Sequence, residues 1–151
     1  MRKISFYIVF TLLIAVIGGC RSTIVRNEIR EGTWMIGDEV IETLNVTIQD
    51  TGNTMTAVGL DSRGLVFKFG KLPNANASYK IVKEPAADDE VKIIAVLQDT
   101  TEAYVTTGLD DKSARITFNN GLMTIKVPPV EAEHVYEKGN RITIQALLTE
   151  K

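Results

Sequence analysis

From Trp34 to the C-terminus the apolar residues recur every second position, and that period constrains the fold more than any other feature of the chain. Leu44, Val46 and Ile48 alternate with Asn45, Thr47 and Gln49. The same pattern returns at Leu65, Phe67 and Phe69, at Met123, Ile125 and Val127, and at Ile142, Ile144 and Ala146. Side chains on a strand project alternately to its two faces, so each run has one apolar face to bury. Turn-forming residues separate the runs: Asp50-Thr51-Gly52-Asn53, Asp61-Ser62-Arg63-Gly64, Asn119-Asn120-Gly121 and Lys138-Gly139-Asn140. Gly, Asn and Asp tolerate the left-handed backbone that tight hairpins require. The spacing predicts strands near 33–36, 40–49, 54–60, 65–69, 79–83, 91–98, 103–109, 114–119, 122–127 and 140–149. No amphipathic helix is expected between them. Short strands at this spacing fit a sandwich or a barrel, and an antiparallel β-sandwich, Ig-like or related, is the expected fold. Pro128-Pro129 is expected to end a strand, because proline has no N–H for a ladder. The residues from Val130 to Tyr136 then form a connection or an edge strand.

The first twenty residues follow another logic. Arg2 and Lys3 precede an apolar run from Ile4 to Ile17, interrupted only by Ser5 and Thr11, and Gly18, Gly19 and Cys20 follow. A charged start, a short apolar run and small residues before a cut are the marks of a secretory signal peptide. The run is shorter than the roughly 20 residues that a helix needs to cross a bilayer. Ile17-Gly18-Gly19-Cys20 resembles a lipobox, in which an aliphatic and two small residues precede the cysteine that becomes the new N-terminus. The resemblance implies cleavage before Cys20, a diacylglyceryl thioether on its sulfur, and an acylated α-amine. One acyl chain binds a membrane marginally, whereas two or more anchor it stably. Cys20 is the only cysteine, so one mature chain has neither a disulfide nor a thiolate metal site. In an oxidising compartment a lone cysteine fits a residue reserved for lipid.

The expected organisation is a signal peptide over 1–19, a lipidated N-terminus and tether over 20–32, and one β-sandwich domain over 33–151. Without Arg2 and Lys3, 15 basic and 19 acidic side chains remain, a net charge of −4. Nucleic acid is therefore not an expected partner, since no basic cluster is present to follow a phosphate backbone. Ile48 to Phe69 also aligns without gaps on Leu97 to Phe118. Gln49, Asp50, Thr51, Gly59, Leu60, Asp61 and Phe69 recur as Gln98, Asp99, Thr100, Gly108, Leu109, Asp110 and Phe118. This reads as two related β-meanders, one in each sheet, with convergent hairpin composition as the alternative.

The body of the chain resembles the small lipoproteins, common in Bacteroidetes, that carry a single Ig-like or related β-sandwich. The resemblance rests on Trp34 soon after the tether, the run from Asn53 to Gly59, the turn from Asp61 to Gly64, Tyr79 after a Pro-Asn loop, and a final alternating strand. It implies a fold and a compartment and carries over no catalytic residue. Arg21 differs from the aspartate that follows the cysteine in retained inner-membrane lipoproteins of enterobacteria, which favours the outer membrane. The acidic stretch that resembles a surface-export signal is missing after Cys20, which favours the periplasmic leaflet.

Chemistry-bearing residues are sparse. His134 is the only histidine, and no G-x-S-x-G, H-E-x-x-H or phosphate-cradling glycine loop is present. It reads as a surface residue beside Glu133. Glu131 and Glu133, two apart on a strand, would project from one face about 7 Å apart, a separation open to glycoside chemistry. Solvated edge charge is the plainer reading. Asp88, Asp89 and Glu90 offer oxygens that suit Ca²⁺ without EF-hand spacing, and as a solvated loop they need no ion. No metal or other cofactor is expected. Trp34, Tyr79, Tyr104 and Tyr136 are the candidate ligand-binding residues, because aromatic faces with polar tips suit sugar rings. Core packing is the competing role for Trp34. Asp99-Thr100-Thr101 fits a short O-glycosylation acceptor pattern at Thr100, or an unmodified turn. The leading expectation is a membrane-anchored, non-enzymatic binding, scaffold or accessory module with an envelope protein or glycan as partner. A glycan-binding module is the alternative, followed by a glycosidase or other hydrolase.

Overall fold

The structure, a computed structural model, describes residues 29–97 and 102–150. The signal segment, Cys20, the tether up to residue 28 and the Asp99-Thr100-Thr101 sequon lie outside the described residues. Ten strands form in chain order: β1 (Thr33–Ile36), β2 (Glu39–Gln49), β3 (Thr54–Gly59), β4 (Gly64–Phe69), β5 (Ala77–Ile81), β6 (Glu90–Val96), β7 (Ala103–Thr106), β8 (Ser113–Asn119), β9 (Leu122–His134) and β10 (Arg141–Thr149). A single turn of 3-10 helix at Asp50–Gly52 is the only helical element among the described residues.

The protein is all-β and sandwich-like, built from one mostly antiparallel sheet that folds over and closes on itself. The ladder runs β10-β1-β2-β3-β4-β6-β5-β8-β9, and β9 pairs back onto β10. Closure leaves no outer edge to that ring, which removes the usual template for aggregation. The inner face takes the alternating set expected from the sequence, except that Leu44, expected inward with Val46 and Ile48, is turned outward by a register shift in β2 and is 61% exposed. Trp34, Met55, Leu65, Phe67, Ile81, Ile93, Ile116, Met123, Ile125, Ile144 and Leu148 are all fully buried.

One wall of the closed sheet is split. On β6, β5 pairs in parallel at Glu90 and Val91, and β7 pairs antiparallel from Ile94 to Val96. On β9, β8 pairs from Leu122 to Lys126, and β7 pairs from Ala132 to His134. The short β7 and the β5–β8 pair thus share the gap between β6 and β9. Backbone groups at the fork have no strand partner, and two side chains supply one. The Thr106 hydroxyl, fully buried, donates to the Val82 carbonyl at 2.9 Å and accepts the Ile93 N–H at 3.1 Å. On the other side the Asp110 carboxylate accepts the Glu131 N–H at 3.1 Å.

β9 does not stop at Pro128-Pro129; it runs through to His134 with neighbours on both sides, contrary to the expected break. The register against β10 shifts between Ile144 and Ala146, which face Val130 and Val127. The two prolines therefore sit in a β-bulge, where no ladder N–H is needed. The extra residue also reverses the phase of alternation. Met123, Ile125 and Val127 point inward before it, and Val130 and Ala132 do so after it. Glu131 and Glu133 are thereby turned outward.

The internal similarity does not produce two meanders. β3 and β4 form a hairpin across Gly59-Leu60-Asp61. β7 and β8, around the equivalent Gly108-Leu109-Asp110, do not pair; β7 bonds β6 and β9, and β8 bonds β5 and β9. The second triplet is a crossover, and the backbone differs accordingly. Gly108 has φ +69° and packs so closely that a Cβ there would lie 3.0 Å from Val82 Cα.

Replacing Thr106 by Val keeps its shape and removes both hydrogen bonds, leaving a buried N–H and carbonyl unpaired. Each such loss costs about 1–3 kcal/mol. Urea unfolding is expected to show Thr106→Val destabilised by at least that much, and Thr106→Ser to retain most of the stability.

Candidate functional site

The four aromatic candidates separate by burial. Trp34 is fully buried between Ile41 of β2 and Ala146 of β10, with its indole N–H unpaired. Tyr79 is also buried, packed edge-on against Phe69 at 5.2 Å, and its hydroxyl donates to the Lys71 carbonyl at 3.1 Å. Burial pushes the Tyr79 phenol above its usual pKa, with Asp88 and Asp89 adding to the shift. Neither ring offers a face to a ligand, so both belong to the core and not to a platform.

Tyr104 and Tyr136 remain accessible, Tyr136 at 70% exposure. His134 links them: its ring lies edge-on 5.0 Å from Tyr104 and 6.2 Å from Tyr136. His134 Nδ1 accepts the backbone N–H of Glu137 at 3.0 Å and of Tyr136 at 3.3 Å. The histidine thus caps the turn that follows β9, with Nε2 left to carry the ring proton. Beside it, Tyr104, Leu97, Glu102, Glu137 and Asn140 line a hollow of about 380 Å³. The Tyr104 hydroxyl reaches Asn140 Oδ1 at 3.4 Å.

A second recess, about 360 Å³, opens on the outer side of β7. Its apolar lining is Val105, Leu109 and Val135. Val105 faces Ile94 on β6 and Glu133 on β9 in the ladder. Leu109 and Val135, at 72% and 49% exposure, come from the β7–β8 crossover and the turn after β9. Lys83, Lys92 and Lys138 stand on the rim with Glu84 and Glu133. Lys92 is committed to Glu84 at 2.7 Å, and its ammonium is the main reason the Glu84 carboxyl lies below its usual range. Lys83 and Lys138 make no ion pair within 4.0 Å among the described residues. The arrangement is a cleft with an apolar lining, a paired Lys–Glu wall and two cations facing solvent.

The outward carboxylates of β9 are tied to one cation. Arg141 Nη1 lies 3.1 Å from Glu131, and Arg141 Nε lies 3.4 Å from Glu133. Glu133 also accepts the Gly139 N–H at 3.0 Å, which together with Arg141 holds its carboxyl below the usual range. Hydrolysis of a glycoside by two carboxyls needs one of them to keep a proton near neutrality. Glu133 is pushed the opposite way. Glu90 likewise accepts the Ala86 and Ala87 N–H groups, at 2.6 and 3.0 Å, and closes the loop before β6. Asp88 faces Lys71 at 3.8 Å. Among the described residues no three His, Cys, Asp or Glu side chains converge as a metal site requires.

Comparison with protein-family models, curated proteins and solved structures finds no match to this chain. What the cleft can do rests on its own residues. Sequence reasoning named Tyr104 and Tyr136 as candidates and read His134 as a surface residue; it did not single out Lys83, Lys92, Leu109, Val135 or Lys138 as site residues. The available signal was an exposed aliphatic in two polar connections, Leu109 after Gly108 and Val135 after His134.

Because the folded-state pKa of Glu133 is depressed, its contribution to stability is present above its usual value of 4.5 and is lost as pH falls through the lower folded value. Unfolding followed against pH is therefore expected to show wild type losing stability on acidification faster than Glu133→Gln. Parallel curves would contradict the assignment.

Proposed function

We propose that this chain is a membrane-anchored cell-envelope lipoprotein whose all-β domain is a non-enzymatic binding module. The observation that carries the binding reading is the cleft on the outer side of β7. An apolar strip of Val105, Leu109 and Val135 beside the ammonium groups of Lys83 and Lys138 suits a ligand with an apolar body and an anionic or polar end. Small-molecule and peptide sites have this makeup, a largely apolar lining with a few placed polar groups. The clamping of Glu131 and Glu133 by Arg141 weighs against a hydrolytic role for the carboxylates on this face.

The anchoring reading rests on the signal segment and on Ile17-Gly18-Gly19-Cys20. In this reading Cys20 carries the lipid, the outer membrane is the favoured location, and its periplasmic leaflet is favoured over the cell surface. Intact mass of protein extracted in detergent from its native envelope tests it, with wild type beside Cys20→Ala. A mass lacking residues 1–19 and carrying acyl chains, lost in the variant, is expected. An unlipidated mature chain in the soluble fraction would overturn the anchor.

A glycan ligand is the second reading, favoured by the placement of Tyr104, Glu102, Glu137 and Asn140 around one hollow with Tyr136 exposed nearby. Titration with envelope oligosaccharides, followed by NMR, distinguishes the two. Saturable shifts at Tyr104 and Tyr136 that vanish in Tyr136→Ala support the glycan. Absence of shifts there leaves the cleft at Val105 and Val135 as the binding surface.

A further inference from the structure

Three aliphatic side chains are exposed together on the side of the closed sheet away from the cleft. Leu44 is 61% exposed, Leu60 62% and Val58 37%. Leu44 is the extra residue of a β-bulge: Thr43 faces Gly59 and Asn45 faces Val58, so Leu44 has no opposite number on β3. Bulges re-aim side chains, and this one turns a leucine outward between Glu42 and Thr47, which are both exposed. Leu60 is hydrogen-bonded next to it, its N–H donating to the Glu42 carbonyl at 3.0 Å. The flanking charges are paired, with one negative charge in excess: Arg30 pairs with Glu42, and Arg63 is shared by Asp61 at 2.6 Å and Glu39 at 2.5 Å.

The N-terminal segment joins the domain at this patch. The Thr43 N–H donates to the Gly32 carbonyl at 2.9 Å, so the chain leading into β1 lies level with the bulge. The Arg30 guanidinium reaches the outer side of β2 through Glu42. Eight residues, 21–28, separate Cys20 from Ile29. Fully extended they span at most about 30 Å.

We propose that Leu44, Val58 and Leu60 form a docking surface for the lipid bilayer to which Cys20 is attached. This rests on the anchor reading above. A lipid on Cys20 holds the point where the chain meets β1 within that short reach of the membrane, and the exposed aliphatics beside it are the first part of the domain to arrive. Three aliphatic tips ringed by paired charges can settle among headgroups without burying an unpaired ion. Docking also orients the domain: β7 lies across the closed sheet from β2 and β3, so the cleft faces away from the membrane.

The experiment uses the full chain, matured in cells, purified in detergent and reconstituted into phosphatidylethanolamine–phosphatidylglycerol vesicles. With Cys20 blocked by lipid, a single introduced thiol is the sole labelling target. Nitroxides are placed at Leu60→Cys and, on exposed β8, at Ser113→Cys. Collision with oxygen and with a water-soluble nickel chelate is read by electron paramagnetic resonance. The label at position 60 is expected to be shielded from the chelate several-fold relative to position 113 and to favour oxygen. Equal access of the chelate at both positions, with acyl chains present in the mass of the same sample, would overturn the docking surface alone. A sample whose mass lacks acyl chains would overturn the anchor and the docking surface with it. Spin–spin broadening confined to position 60 would assign the patch to a second copy of the chain and overturn the lipid surface.

Discussion

Everything in this structure depends on how β9 is paired. Its first half bonds β8 and its second half bonds β7, while β10 runs along the whole of its other side. No other strand serves three neighbours over such a length among the described residues. Without it β10 would be one edge and β8 the other, and the sheet would stay open. The Pro128-Pro129 bulge is what permits this. It places the two residues lacking an N–H where the strand changes partners, and it shifts the phase so that both halves bury their apolar residues on the same side.

The split wall follows from the same strand. Where β9 passes from β8 to β7, and where β6 passes from β5 to β7, backbone groups lose their partners. Asp110 and Thr106 replace them from the ends of β7 and its crossover. A buried polar group without a partner is costly, so these two side chains are part of the closure itself. The cleft is a by-product: β7 is short, the connections at its ends rise past it, and Val105 is left at the bottom between Leu109 and Val135.

Most of the strand pattern was legible because alternation needs only the residues of one strand. All ten strands were expected, nine of them within three residues of their observed bounds, while β9 was expected to end at 127 and runs to His134. What failed was what depends on partners. The prolines of β9 carry the same local signal at a strand end and at a bulge, and only the register of β10 distinguishes them. Gly59-Leu60-Asp61 and Gly108-Leu109-Asp110 are identical in sequence and opposite in use, since a hairpin or a crossover is decided by which strands lie alongside. The site was legible to a similar extent. Tyr104 and Tyr136 were visible as aromatics, but nothing local separates them from Trp34 and Tyr79, which face the core. The lysines of the rim come from two distant segments, Lys83 and Lys92 around the start of β6 and Lys138 after β9, which meet only once the sheet has closed.

If closure through β9 is the organising constraint, the cleft wall has no stability of its own apart from the rest. Native-state hydrogen exchange tests this directly. Thr107 and Val135 donate their N–H groups to Glu131 and Ala103 across the β7–β9 seam. These amides should exchange only through the same global opening that releases the ladder between β8 and the first half of β9. Exchange at Thr107 and Val135 through a separate opening of much lower free energy, with the rest of the sheet still protected, would contradict the account and make β7 a flap laid over an otherwise independent sheet.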